Sequence, residues 1–344
     1  MNVHDLPTPA LVIDHDLLLH NLQVMTSTRP GPMLRPHVKA HKCTALAAEQ
    51  ARVGHHSFTC ATTREVLGMA AAGLGDDLLL ANEVVHPDLL GALTAAQDTA
   101  RITVAVDSPA TVEAAARAGL REVLVDVEVG LPRCGCRVED AGRVADFARA
   151  RGMTVRGVMG YEGHLMMVDD RAHQAAEVQL CVDRLLRAHH DVGGEVVSAG
   201  GTGTYQFHDR VSEVQAGSYA LMDSDYARLG LPFAQACWVI GTVVSTNGQW
   251  AVADVGLKAL AMDHGNPSIA ADAGGGSGGG GGGEVWFFSD EHVTFAPHAA
   301  PATVGDRIRI VPAHIDPTMA KHEVAWVVRG EEVLEQWAID LRGW

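Results

Sequence analysis

The sequence predicts a parallel (β/α)8 TIM-type barrel followed by a smaller, mostly β domain. Three observations carry that reading. Through the first two-thirds of the chain, short apolar β-rich runs alternate with Ala/Leu/Arg-rich stretches of helical composition, the order of parallel strands joined by helical crossovers. From about Cys237 the alternation gives way to strand-like runs with short connections. The main competitor, an open doubly wound sheet, would more often show a Gly-rich turn after its first strand, and none is there.

Taken in order, Thr8–Asp14 is strand-like and could belong to either part. The barrel strands are expected at 34–39, 56–62, 77–82, 102–106, 122–128, 155–160, 195–199 and 213–216. Helical segments between them include Ala45–Ala51, Arg64–Ala72, Pro109–Ala118, Val138–Ala150 and Ala172–His190. Later strands are expected at 238–244, 250–254, 284–288, 307–311, 323–328 and 333–338. These place a barrel at 15–235 and a β domain at 1–14 with 236–344. The run GGGSGGGGGG at 274–283 reads as a flexible surface loop without chemistry of its own.

At 344 residues the chain can bury a full core, and its 47% apolar and 20% charged content is that of a globular protein. Its 26 basic against 42 acidic residues, a net −16, argue against a nucleic-acid or anionic-membrane surface. No apolar run has the length of a membrane span. The start, Met1–Pro7, lacks the basic-then-apolar pattern of a signal peptide. Cysteines at 43, 60, 134, 136, 181 and 237 form no zinc-knuckle pattern and read as reduced, mostly buried thiols of a cytoplasmic protein.

The most reactive stretch is Arg35-Pro36-His37-Val38-Lys39-Ala40-His41-Lys42. Neighbouring cations disfavour a protonated lysine, and a neutral amine can form a Schiff base with a carbonyl. In an extended strand His37, Lys39 and His41 share one face; the alternative is a solvated basic loop. Active sites of such barrels lie at the C-terminal strand ends. Lys39 falls there after the first strand, Arg133 after the fifth, Tyr161 and His164 after the sixth. Gly200-Gly201-Thr202-Gly203-Thr204 follows the seventh and Gly217-Ser218-Tyr219 the eighth. Small residues and hydroxyls at those two loops suit a phosphate, although each alone could be a tight turn. A carbonyl-reactive lysine beside a phosphate cup meets the requirements of pyridoxal 5′-phosphate (PLP). In the β domain, His314 and Asp316 at i and i+2 would project together from an extended segment and suit Mn²⁺, Mg²⁺ or Zn²⁺, or form a structural pair. Ser289-Asp290-Glu291-His292 is a further candidate group, or a polar turn.

Together Arg35–Lys42, Tyr161–His164, Gly200–Tyr205, Glu213–Tyr226, Asp254–Leu260 and the tail from Pro312 resemble the metal-dependent D-threonine aldolases. These are fold-type III PLP enzymes, alongside D-serine dehydratases and alanine racemases. The resemblance covers nearly the whole chain. It implies an alanine-racemase-like, dimeric enzyme, with Lys39 as Schiff-base lysine and Arg133 as a cofactor contact. It also implies His314 and Asp316 as metal ligands and His164 as catalytic base. The dehydratases generally carry Cys two residues after the metal-binding His; this chain has Asp316 there, which favours C–C cleavage. The expected reaction splits a D-3-hydroxy-amino acid such as D-threonine into glycine and an aldehyde. The rivals are a dehydratase releasing ammonia and a keto acid, a racemase, whose tail would need a tyrosine, and a PLP-carrying protein with the barrel alone.

Overall fold

The computed structural model describes residues 1–270, 282–298 and 301–343. It divides into two compact units. One comprises Met25–Gly217 and the residues from Asp340; the other comprises Met1–Val24 and Ser218–Ile339. The sequence-based borders at 14/15 and 235/236 fall elsewhere. The C-terminal segment rejoins the first unit because Leu341 N–H donates to Lys42 O (3.0 Å) and Thr44 N–H donates to Asp340 Oδ1 (3.0 Å).

The chain begins with β1 (Ala10–Asp14) and α1 (His15–Thr28). Seven barrel strands then pair in parallel in chain order: β2 (Ser57–Cys60), β3 (Asp77–Leu80), β4 (Ile102–Val106), β5 (Glu122–Asp126), β6 (Thr154–Met159), β7 (Val196–Ala199) and β8 (Glu213–Val214). The accompanying helices are α2 (Thr44–Arg52), α3 (Thr63–Ala71), α4 (Pro87–Ala96), α5 (Pro109–Ala118), α6 (Ala141–Arg149) and α7 (Arg171–Val192). Helix α5 matches its predicted span because its signals are local. Ser108 and Thr111 form a capping box, Pro109 takes the first turn, and Gly119 closes the helix at φ 89°.

The two edges of this sheet are joined by residues 34–37. Leu34 bridges to Val214 and His37 to Thr59. Arg35 N–H donates to Val214 O (2.9 Å), and Thr59 N–H donates to Pro36 O (2.9 Å). The predicted first strand, 34–39, therefore ends at His37, and Val38–Ala40 is a 3-10 turn. Pro36 brings no N–H, so this segment makes bridges but no continuous ladder. The predicted eighth strand, 213–216, is likewise cut to β8.

Along β3, β4 and β5 inward residues alternate with outward ones. Leu79, Ala105 and Leu124, with Met159 and Val196, form a buried apolar layer inside the barrel. Two residues towards the N-terminal ends lie Asp77, Thr103 and Glu122; two towards the other end of β5 lies Asp126.

The other unit holds α8 (Ser224–Ala227), β9 (Cys237–Thr246), β10 (Ala251–Ala253), β11 (Ser268–Ile269), β12 (Gly283–Phe288), β13 (Val293–Pro297), β14 (Arg307–Val311), α9 (Ile315–Lys321), β15 (Val324–Arg329) and β16 (Glu332–Ala338). Its sheet runs β10-β13-β12-β11-β14-β9-β1-β15-β16, and β10 also pairs with β9. Six strands thus close into a small barrel, extended by β1, β15 and β16. Strand β1 lies antiparallel to β9 and parallel to β15, and Val3, Leu6, Ala10 and Val12 pack on Trp238, Ile240 and Val328. Of the glycine run, 274–281 lie outside the described residues, whereas Gly283 opens β12.

Candidate active site

Lys39 sits half-buried in the 3-10 turn, capped by the side chain of His37. The turn overturns the expectation that His37, Lys39 and His41 share a strand face. His41 is fully buried, and its Nδ1 accepts from Cys43 N–H (3.2 Å). The crowd of cations is dispersed too. Arg35 runs to Glu213 (2.7 Å) and Asp77 (3.0 Å), and Lys42 pairs with buried Glu65. Cations already neutralised this way repel a neighbouring ammonium little. The case for Lys39 therefore rests on its place at the barrel mouth. A Cβ on Gly217 would lie 2.5 Å from His37 O, so only glycine lets the chain after β8 press on the turn bearing Lys39.

The loops after the neighbouring strands β5 and β6 come together. The Arg133 guanidinium lies over the Tyr161 ring, 5.3 Å from its centroid. The His164 ring rests on Gly130, where a Cβ would come within 2.9 Å of Cε1. Cys136 N–H donates to Asp126 O (2.9 Å) and Glu128 N–H to Cys136 O (2.9 Å), tying off the loop that carries Arg133.

Glu162, between Tyr161 and His164, is buried and pairs with His208 Nε2 (2.8 Å). It also accepts from the Thr204 hydroxyl (2.6 Å). Burial pushes its carboxyl up, but His208 and Thr204 outweigh that and hold it below the usual range. This clamp joins the Tyr161–His164 loop to the glycine-rich loop after β7. Thr204 is thereby committed to Glu162 and not to an anion. Thr202 is buried, and Gly203 lies so near the Met166 carbonyl that a Cβ would come within 2.0 Å of its oxygen.

Asp126 is buried at the end of β5, and burial, then Glu83 and Asp107, push its carboxyl well above the usual range, against the pull of Arg133. Glu83 and burial push the Cys134 thiol up to about 11; burial, Asp126 and Asp107 push Cys136 up to about 12. Both thiols are protonated at neutral pH and unsuited to nucleophilic work.

In the β unit, His314 caps α9 and Asp316 lies in its first turn. The expected extended segment is therefore a helix start, with Pro317 in the first turn, where no intrahelical N–H is needed. Asp316 Oδ1 accepts from the Ser218 hydroxyl (2.9 Å), and Tyr219 is buried against Phe233. His314 Nδ1 lies 2.6 Å from Asp263 Oδ2. Its ring stacks on His264 at 3.9 Å and 11°, and His264 Nδ1 lies 3.1 Å from Asp225 Oδ2. Among the described residues, Asp263, His264 and His314 are the one group of three or more His, Cys, Asp or Glu whose ligand-type atoms lie within 4.8 Å of one another. Ser289–His292 is a polar turn: Ser289 N–H donates to His292 O (2.8 Å), and Glu291 pairs with Lys258 (2.7 Å).

Residues 13–225 match the alanine racemase N-terminal domain, and residues 236–328 match a putative serine dehydratase domain. A D-threonine aldolase from an Arthrobacter species is 35% identical over 98% of this chain and 93% of its own length. The chain belongs to the D-threonine aldolase family of fold-type III PLP enzymes. A D-threonine aldolase structure from Filomicrobium marinum superposes with a TM-score of 0.90 at 34% identity, covering 99% of this chain and 96% of the other. A D-threo-3-hydroxyaspartate dehydratase from a Delftia species is 29% identical over 98% of both chains. The family membership makes this an enzyme acting on D-hydroxy-amino acids.

The residues present fit the family's cofactor: a half-buried lysine at the mouth, buried Thr202 in the glycine-rich loop after β7, and the Arg133–Tyr161 pair, whose Tyr161 ring lies against Gly201 of that loop. The imidazole of His314 and the carboxylate of Asp316, both at the start of α9, are donor types that suit a divalent cation. Sequence reading passed over Glu162, Asp126 and the Asp263-His264 dipeptide. Asp126 had a usable signal, a carboxylate at the C-terminal end of a barrel strand, where active-site groups lie. Asp263-His264-Gly265 had only a turn composition, which is weak.

Proposed function

We propose that this enzyme is a PLP- and divalent-metal-dependent aldolase that cleaves D-threonine and related D-3-hydroxy-amino acids, reversibly, to glycine and an aldehyde. The observation that carries it is the aspartate at 316, two residues after His314 on the start of α9, where the dehydratases it resembles generally have cysteine. Bound PLP supplies the sink for the electron pair of the breaking Cα–Cβ bond, and a divalent cation supplies a Lewis acid for the β-hydroxyl.

The chain's own residues do the rest. Lys39 would hold the cofactor through its side-chain amine. Arg133 and Tyr161, stacked on one another, position the cofactor, with Thr202, Gly203, Gly217, Ser218 and Tyr219 completing its surroundings. His164 takes the β-hydroxyl proton through a ring nitrogen, and the Glu162–His208–Thr204 clamp holds the loop that presents it. His314 and Asp316 hold the cation, Mn²⁺ in our reading. We further propose a homodimer in the cytoplasm; among the described residues no helix is long and apolar enough to cross a membrane.

Product analysis tests the reaction. Protein supplied with PLP, Mn²⁺ and D-threonine should release glycine and acetaldehyde, and EDTA should abolish both. The second reading, supported by the Delftia dehydratase relative, expects ammonia and 2-oxobutanoate; finding these would displace the aldolase.

A further inference from the structure

His314 is presented by a helix cap, and nothing in that backbone dictates which of its two ring nitrogens faces a cation. The surroundings do. Its Nδ1 is 2.6 Å from Asp263 Oδ2. Two atoms bound to one cation at about 2.1 Å each, at a right angle, are about 3.0 Å apart, and farther in a tetrahedron. The pair at 314 and 263 is too close to be joint ligands through those atoms. It has the length of a charge-assisted hydrogen bond from Nδ1–H to the carboxylate. An imidazole that donates from Nδ1 keeps its lone pair on Nε2.

The ring is held on its face as well as its edge. His264 stacks on it at 3.9 Å, nearly parallel, and is itself anchored by Asp225 at 3.1 Å. Two imidazoles in a stack, each with Nδ1 against an aspartate, leave little freedom for the His314 ring to flip. The His264 Nε2 is 4.0 Å from Asp263 Oδ2, so Asp263 lies between the two rings' polar edges.

We propose that Asp263 is a positioning residue for metal binding: its carboxylate fixes the Nδ1–H tautomer of His314, so that Nε2 is the cation's ligand. This rests on the reading of His314 as a metal ligand. It removes Asp263 from the set of direct ligands, although Asp263, His264 and His314 together have the composition of a metal site. Carboxylates behind a metal-bound imidazole raise its basicity and fix its orientation, and their loss typically weakens metal binding about 10–100-fold.

The test is Mn²⁺ titration of the PLP-loaded enzyme, with free Mn²⁺ read by electron paramagnetic resonance. Asp263→Ala should weaken Mn²⁺ binding about 10–100-fold, and Asp263→Asn, which retains a neutral acceptor, should weaken it less. The cofactor absorbance and the melting temperature in EDTA should match wild type in both. An Asp263→Ala enzyme that binds Mn²⁺ within twofold of wild type overturns the proposal. Wild-type enzyme that binds no Mn²⁺ overturns instead the metal reading beneath it. Nitrogen-15 spectra of metal-free wild type, with His314→Gln used to assign the ring, give a readout independent of how the Asp263 variants fold. The Nδ1–H tautomer is expected, and Nε2–H would overturn the proposal.

Discussion

The floor and the mouth of the larger barrel are built from the same strands and treat charge in opposite ways. At the floor, Arg156 reaches Asp77 (2.7 and 2.9 Å), Thr103 (2.8 Å) and Glu195 (3.0 Å), while Arg35 spans Asp77 and Glu213. One apolar layer higher, at the mouth, Asp126 faces other carboxylates and the single guanidinium of Arg133. Burial raises the Asp77 carboxyl, but the two guanidiniums outweigh it and hold it well below the usual range. Asp126 goes the other way. Paired charge serves stability at the floor, whereas at the mouth a buried carboxyl is held protonated where a ligand or a reaction can use it.

Three substitutions sharpen that contrast. The largest effect belongs to the mouth: Lys39→Ala should cut turnover by about 10⁴-fold or more, by analogy with the loss of other covalent nucleophiles, and abolish the cofactor's bound absorbance. Urea unfolding of the cofactor-free chain should not change. Retained absorbance would remove Lys39 from the site.

Next comes the floor. Asp77→Ala leaves two buried guanidiniums short of a partner and should cost about 3 kcal/mol in urea unfolding, without the spectral loss seen at Lys39. Because the folded Asp77 pKa is depressed, its contribution is fully present above the unfolded value of about 4 and is lost as pH falls through the folded one. The penalty of the variant should therefore shrink only in strong acid. A penalty equal at pH 7 and in strong acid would mean that the pairing is not what stabilises.

The smallest effect has the opposite sign. Asp126 has a raised folded pKa, so folding keeps a proton that the unfolded chain releases, and the cost grows as pH rises above about 4. Asp126→Asn should stabilise the cofactor-free chain at pH 8 by on the order of 1 kcal/mol and much less near pH 4. A destabilised variant at pH 8 would erase the distinction between mouth and floor.

Much of the fold was legible because its signals are short-range. The cap, first-turn proline and C-terminal glycine of α5 lie within a dozen residues, and β4 and β14 coincide with their predicted spans. The errors fall where closure or a turn overrides local pattern: Lys39 in a 3-10 turn at the seam of the barrel, and His314 and Asp316 at a helix start. Strand β11 and helix α9 were missed because two residues and seven residues carry too little periodicity to read.

The alternation of strand and helix, the change of architecture near Cys237 and the residue types at the strand ends are all readable along the chain. Each is written in periods and caps that need no distant partner. Which charges meet is settled in three dimensions. Arg35 finds Glu213 across the barrel seam, Glu162 finds His208 and Thr204 between two loops, and His314 finds Asp263 beside a stacked imidazole. A side chain's partners are selected by closure of the sheets in space, and chain separation of 42 to 178 residues leaves no local trace of that choice.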